Sequence, residues 1–320
     1  MAYPTPAVTV TTADKFIPEI WSDEIVAAYK KNLVLANIVR KMNFKGKKGD
    51  TVHVPAPTRG SASAKAASTA VTLIADTETE VQILINKHYE YSRFIEDIVE
   101  AQALNSLRQF YTADAGYALA KQVDTHLIQL GRAFNGATVG TNDYATSNTS
   151  TKAYIGSDGT TAYNSTSSNA AALTDAAIRR TIQRLDDNDT PMDNRFFIIP
   201  PSSRNTLMGL SRYTEQAFVG NGNAIRTGEI GNLYGIPVFT SSNADTGAGT
   251  SGTDRICLMG HKDAMVLVEQ IGIRSQTQYK QDYLATLFTS DTLYGVKALR
   301  AAATTGAALS SSAFALAVPA

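Results

Sequence analysis

The sequence predicts an α+β fold in which one structural unit is interrupted by another. Three observations predict it. An apolar stripe at helical spacing runs from Ile95 to Phe134. Four strand-like runs follow one another between Ala264 and Leu299. Between these, from about Ala170 to Lys262, short helices alternate with short apolar strands, the pattern of a compact α/β or α+β unit. The long helix and the late strands would complete one unit, and the middle stretch would be an insertion in it.

The elements follow in chain order. Met1 to Ala13 is Thr, Pro, Ala and Val without a helical period, and reads as an extended or disordered tail. A short amphipathic helix is expected before Leu33. Ser22 would cap it, Asp23 and Glu24 would occupy its first turn and Lys30 and Lys31 its last, which suits the helix dipole. Ile20, Trp21, Ile25, Val26, Tyr29 and Leu33 form its apolar face. Asp50 to Pro55 and Val81 to Ile85 read as two strands of a long hairpin, entered through Gly46 and Gly49. Its tip, Arg59 to Ala70, is small and polar and carries Lys65. A two-stranded hairpin is marginal on its own in water, so this one is expected to lie on something else, most simply another copy of the chain.

Ile95, Val99, Ala103, Leu107, Tyr111, Ala115, Leu119, Val123, Leu127, Leu130 and Phe134 form one stripe, with a weak point at Thr112 to Gly116. Unbroken, that helix would span roughly 60 Å. Asn135 to Asn169 is low in complexity and reads as an inserted surface hairpin or flap. Thr174 is the expected cap of a helix reaching Leu185. Arg195 to Ile199 is a buried strand, stopped by Pro200 and Pro201, after which Ser202 or Ser203 would cap a helix to Leu210. Gly235 to Phe239 and Arg255 to Met259 are further strands. The four late strands are Ala264 to Gln270, Ile273 to Tyr279, Tyr283 to Thr289 and Tyr294 to Leu299. The tail after Ala301 carries little to bury.

Composition narrows the function. The 320 residues suffice for one large domain or two ordinary ones. Lys and Arg number 29, as do Asp and Glu, so the formal charge is zero. That argues against a dedicated nucleic-acid binder, though not against a surface lying beside nucleic acid. A single cysteine, Cys257, rules out an internal disulfide and a Cys/His zinc site. Within Ile256 to Met259 it reads as a small buried hydrophobe rather than a nucleophile. The N-terminus lacks the features of a secretory signal, and no apolar run approaches the ~20 residues that cross a bilayer, so folding in a cytoplasm is expected.

Catalytic motifs are missing. Gly46 to Thr51 resembles a phosphate loop in composition only, and no His-Glu-x-x-His or Gly-x-Ser-x-Gly occurs. His53, His88, His126 and His261 lack partners at metal-ligand spacing. Asp186, Asp187 and Asp189 could bind a cation but read better as a solvated turn. His126 reads as a packed helix residue. Arg179, Arg180 and Arg184 could pair with Asp187 locally. Lys45, Lys47 and Lys48 form a basic cluster with two open readings: contact with acidic groups of a neighbouring subunit, or a solvated face. No enzyme activity, cofactor or metal is expected.

Five motifs organise these pieces: Phe16 to Val39 (FIPEIWSDEIVAAYKKNLVLANIV), Gly49 to Pro57 (GDTVHVPAP), Phe196 to Gly209 (FFIIPPSSRNTLMG), Gly228 to Asn243 (GEIGNLYGIPVFTSSN) and Asp291 to Arg300 (DTLYGVKALR). In this order the chain resembles the major capsid proteins of tailed bacteriophages, the Hong Kong ninety-seven type coat fold, and is similar within them to podovirus-like coat proteins. The resemblance implies an N-terminal arm (residues 1–45) and an extended E-loop (46–87) lying across an adjacent subunit. It implies a peripheral domain with a spine helix (88–134), completed by return strands (263–309), and an inserted axial domain (170–262). The low-complexity insertion (135–169) and a C-terminal tail (310–320) complete the division. It implies self-assembly through pentamers and hexamers into an icosahedral head in the virion, enclosing double-stranded DNA without sequence-specific binding. A portal, a separate scaffolding protein and a decoration or cement protein are the implied partners, with assembly in the bacterial cytoplasm. The separate scaffold is expected because no long charged helical extension precedes the arm. An encapsulin-like compartment of the same fold is the alternative. Trp21, Tyr29, Lys45, Lys47, Lys48, Arg59 and Lys65 are the candidate assembly-interface residues. No motif carries over the cross-linking chemistry of an E-loop lysine.

Overall fold

The computed structural model describes residues 33–45, 48–55, 60, 62–71, 73, 80–96, 106–131, 153–163, 169–210, 231–244, 254–300 and 312–320. The expected arm helix before Leu33 lies outside them.

The chain enters through a one-turn helix, α1 (Leu35–Ile38), and a short strand, β1 (Arg40–Asn43). Strands β2 (Thr51–Pro55) and β3 (Glu80–Leu84) form the predicted hairpin, with Val52 opposite Ile83 and Val54 opposite Val81. Next comes β4 (Lys87–Glu96), then the spine helix α2 (Ser106–Gly131). Helix α2 is continuous through Thr112 to Gly116, and its 26 residues span about 39 Å rather than the longer spine expected. Ile95 belongs to the preceding strand, not the helix. In β4 the part-buried Tyr89, Tyr91 and Ile95 share one face at even spacing, and ten residues of the strand pair with β11 (Ala285–Ala298). That pairing outweighs the helical spacing carried by Ile95 alone.

The peripheral sheet has the order β1–β10–β11–β4, where β10 is Met265–Lys280. The four expected late strands are therefore two long ones. Strand β10 crosses its apparent break at Gln270 to Ile273 through two register shifts, which add residues without ending the ladder. In β11 the polar stretch Ser290 to Thr292 stays extended because its groups are satisfied. Arg274 clasps Asp291 through two hydrogen bonds of 2.7 and 2.9 Å, His88 adds a contact at 3.2 Å, and Ser275 meets Ser290 at 2.8 Å.

The inserted unit is a six-stranded sheet of order β5–β12–β9–β6–β8–β7. Its members are β5 (Tyr154–Ile155), β6 (Arg195–Ile199), β7 (Asn232–Leu233), β8 (Ile236–Thr240), β9 (Asp254–His261) and β12 (Ala313–Pro319). Helices α3 (Asp175–Asp187) and α4 (Pro201–Met208) cover one face. Thr174 caps α3 as predicted, accepting from the Ala177 N–H. Helix α4 starts differently: Pro200 is its cap residue and Pro201 opens the first turn, where the missing N–H costs nothing. The NLYGIPV motif is a tight hairpin turn between β7 and β8, with Tyr234 at φ 51° and Gly235 at φ 81°.

Strand β12 overturns the expectation of an idle tail. Ala313 to Val318 are all buried, and the strand pairs with β9 along its whole length. Its alanines are small because the sheet is tight there. A Cβ placed on Gly260 would stand 2.7 Å from the Ala313 Cβ. The end of the low-complexity stretch is also structural: Ala153 and Tyr163 are buried, and Tyr163 donates 2.6 Å to Asp254.

Both faces of the inserted sheet are apolar, which explains the uninterrupted RFFII of β6. Phe197, Ile199, Cys257 and Met259 pack toward α3 and α4. Phe196, Ile198 and Leu258 pack on Leu127, Ile128 and Leu130 of α2, with Leu35, Met265 and Tyr294 in the same cluster. The spine helix thus joins the two units through one core.

Candidate assembly surface

The hairpin is firmly rooted, and the described residues of its tip are exposed. At the root, Ile83 and Ile85 pack with Val266 and Val268, and Met42, Phe44, Val52 and Val54 close around them. The Ile85 N–H donates to the Asp50 carbonyl at 2.7 Å, and Gln270 Nε2 donates to the Gly49 carbonyl at 2.9 Å. Gly295 makes this seat possible, since a Cβ there would meet the Leu84 carbonyl oxygen at 2.3 Å. The base of the hairpin is therefore seated on the chain's own four-stranded sheet, where the sequence led us to expect support from another copy.

On its outer face the hairpin is polar. His53 Nδ1 lies 2.9 Å from a Glu80 carboxylate oxygen, and Gln82 Nε2 donates to the other at 2.6 Å. The Gln82 hydrogen bond first, then His53, holds the Glu80 carboxyl below its ordinary value. Beyond Pro55 the described tip residues are all exposed. A turn at Ala66 to Thr69 is closed by the Thr69 hydroxyl on the Ala66 carbonyl at 2.7 Å, with Ser68 at φ 63°.

Of the predicted interface residues, Lys65 stands exposed on this tip, and Lys48 is exposed at the hairpin entrance. Lys45 is exposed beside the root, its N–H bonded to Asn43 Oδ1 at 2.9 Å and its ammonium over Gly272. Trp21, Tyr29, Lys47 and Arg59 lie outside the described residues. Sequence reasoning did not single out the large apolar side chains that stand exposed. Val71 and Leu73 on the loop are 69% and 87% exposed. At the far end of the peripheral sheet, Phe94, Tyr283 and Leu284 are 57%, 69% and 65% exposed. The alternation of Val71 and Leu73 beside a polar tip was the available signal for the first pair.

Two buried polar nodes fix the frame behind this surface. Asp124 of α2 accepts from the N–H groups of Leu35 at 2.9 Å and Ala36 at 3.3 Å, and from Asn243 Nδ2 at 3.0 Å. One carboxylate thus caps α1 from outside and ties the arm's exit, the spine and the inserted unit together. Burial raises its pKa above the ordinary 3.8. Two residues on, His126 packs as expected: Nδ1 meets the Tyr294 hydroxyl at 2.7 Å and Nε2 the Tyr89 hydroxyl at 3.2 Å. Burial, with the Lys87 charge nearby, lowers His126 to about 4, so the imidazole is neutral.

The remaining candidates have structural partners. Asp186 pairs with buried Arg195 at 2.6 Å. Arg179 bonds Asp175, Arg180 bonds Gln183, and Arg184 lies 3.4 Å over the Tyr154 ring, so the expected pairing with Asp187 gives way to these contacts. Cys257 is fully buried beside Ser203, and burial pushes its thiol up to about 12. Among the described residues no three His, Cys, Asp or Glu side chains converge on a metal position, and no helix is long and apolar enough to cross a membrane.

A fold of this kind, two units on one spine helix with a projecting hairpin, defines a building block whose surfaces meet other copies. The comparisons identify the block. The phage capsid protein family matches residues 18–304, and the chain belongs to that family. It is a major capsid protein, a structural component of the virion that assembles with its own copies. Solved structures share the fold over nearly their whole length. A structure from Mycobacterium phage Che8 is 23% identical, covering 94% of this chain and 97% of that one, with a TM-score of 0.72. The capsid of cyanophage P-SCSP1u is 20% identical over 96% and 94%, with a TM-score of 0.71. The capsid of Ralstonia phage GP4 is 14% identical over 98% of each chain, with a TM-score of 0.68. No curated protein sequence matches. The family that matches is one of phage capsids, and the encapsulin alternative is not favoured.

Proposed function

We propose that this capsid protein closes an icosahedral head around double-stranded DNA through pentamers and hexamers. The hairpin serves as the E-loop, resting on an adjacent subunit. Residues 88–134 and 263–309 serve as the peripheral domain and residues 170–262 as the axial domain. The buried strand β12 supports extending the axial domain to residues 313–319. Trp21, Tyr29, Lys45, Lys47, Lys48, Arg59 and Lys65 contribute to contacts between copies. Scaffolding is supplied by a separate protein, a portal occupies one vertex, a decoration or cement protein can bind outside, and assembly takes place in the host bacterial cytoplasm. The balanced charge suits a container that does not clamp its contents.

The observation that carries the reading is the contrast within the hairpin. Its base is clasped by Val266 and Val268, whereas residues 62–71 are exposed throughout. A rooted, projecting loop with a bare tip is built to be covered by another molecule. Deleting Arg59 to Ala70 is expected to abolish or destabilise shells in electron micrographs while leaving the circular dichroism of the chain unchanged. Normal shells from that deletion would defeat the E-loop assignment.

A further inference from the structure

We propose that the turn bearing Met192 on one copy docks against the corner formed by Ile273, Lys45 and Lys48 on a second copy. This rests on the shell reading above and adds a contact made by the inserted unit rather than by the projecting hairpin. The turn joins α3 to β6, and its backbone is pinned from both sides. The Asp189 and Thr190 N–H groups donate to the Asp186 and Leu185 carbonyls at 2.9 and 3.0 Å, and the Lys262 N–H donates to the Asn194 carbonyl at 3.1 Å. Beneath the turn, buried Arg195 donates to the Thr190 and Pro191 carbonyls at 2.6 and 2.8 Å and to Asp186 at 2.6 Å. Asp189 and Asn194 take left-handed backbone, at φ 52° and 53°. The frame so built holds Met192 out in water, 78% exposed. A turn fixed by its backbone and by Arg195 needs no apolar tip for its own fold. A pliable thioether on a rigid base suits a surface that a partner covers.

Charge identifies the occupant. Asp187, Asp189 and Asp193 stand exposed around Met192, and among the described residues Asp187 and Asp189 have no cationic partner. The complement lies on the peripheral sheet. Between Ile271 and Arg274, β10 advances three residues while β11 advances two, from Leu293 to Asp291. Gly272 and Ile273 therefore bulge together against one residue of the neighbouring strand and turn to the same face. Lys45 Nζ lies over Gly272, and the bond from Gln270 Nε2 to the Gly49 carbonyl brings Lys48 to the same corner. Ile273 is 49% exposed, and Lys45 and Lys48 are exposed without an anionic partner. Asp50 beside them is engaged by the Thr51 hydroxyl at 3.3 Å. Within one chain the turn cannot reach this corner. Asn194 is bonded to Lys262 at the start of β10, and Ile273 stands eight residues beyond Met265, about 26 Å of extended strand. The occupant is therefore a second copy of this chain: carboxylates around a methionine on one surface, ammonium groups beside an isoleucine on the other. Such a head-to-tail contact repeats around a closed ring of copies.

The test uses two chains, Met192→Cys and Ile273→Cys, co-assembled into shells and treated with a short bismaleimide cross-linker. One chain carries a tag, so that a mixed pair differs in size from either homodimer. Cys257 is buried and stays silent. A cross-linked mixed dimer on a denaturing gel is expected. Intact shells without it, or with homodimers alone, overturn the docking proposal and leave the shell reading standing. Failure of the unsubstituted chain to form shells under any condition overturns both. Charge reversal supplies the second measurement. Asp187→Lys and Lys48→Glu should each raise the concentration needed for assembly roughly fivefold, and the chain carrying both should return toward the parent. Losses that simply add in the double variant contradict the proposal, because two side chains with separate structural roles would not rescue one another.

Discussion

Replacing Asp124 with alanine should loosen the arm's exit, the spine and the inserted unit together. The carboxylate accepts from the Leu35 N–H and from Asn243 Nδ2 in a buried setting, and from the part-buried Ala36 N–H. Alanine leaves the Leu35 and Ala36 donors without that acceptor, whereas Asn243 keeps Thr125 Oγ1 at 3.2 Å. At about 1–3 kcal/mol for each orphaned buried donor, the gross loss is about 2–6 kcal/mol. Removing a carboxylate that burial disfavours returns part of this, so a net loss of about 2–4 kcal/mol is expected. That is a large share of an ordinary domain's stability. The assay is urea unfolding of the unassembled chain, with amide exchange at Leu35 and Ala36 as the local readout. A raised folded pKa means the folded chain takes up this proton first. Asp124's titration therefore contributes most stability below its ordinary 3.8, a contribution lost as pH rises through the folded value. Asp124→Asn, which cannot titrate, should compare worst with the parent in acid. Stability of Asp124→Ala within about 0.5 kcal/mol of the parent, with unchanged exchange at α1, would refute the reasoning.

Other expectations can be checked alongside. Gly295→Ala forces its Cβ against the Leu84 carbonyl, so amides of 80–85 should exchange faster and assembly should weaken, while the inserted unit melts as before. His126 has a folded pKa of about 4 against an ordinary 6.5, so the unfolded chain binds more protons between those values. Stability should fall by on the order of 3 kcal/mol as pH drops from 6.5 to 4, and His126→Gln should flatten that slope in pH-dependent denaturation. Phe314→Asp places a charge in the core under α3 and α4 and should leave the chain insoluble or unable to assemble, as sedimentation would show.

Much of this fold was legible in the chain. Thr174 announced its helix through an oxygen placed to accept from Ala177, and RFFII announced a strand buried on both faces. What escaped depended on partners distant in sequence. Ser290 to Thr292 look like a break until Ser275 is seen to meet Ser290, Arg274 and His88 to meet Asp291, and the Ile271 carbonyl to accept from the Thr292 hydroxyl. The alanines of β12 look like filler until Gly260 is seen to admit the neighbouring strand closely. The basic residues of the surface stood out because charge is visible in sequence. Phe94, Tyr283 and Leu284 did not, since nothing local shows that they stay exposed.

The most direct test of the central claim is electron microscopy of the purified chain, alone and with a candidate scaffolding protein. The account predicts closed polyhedral shells, or regular tubes, whose diameter separates a phage head from a small compartment. Persistent monomers under both conditions would contradict it, because a rooted hairpin with a bare tip would then have no second copy to meet.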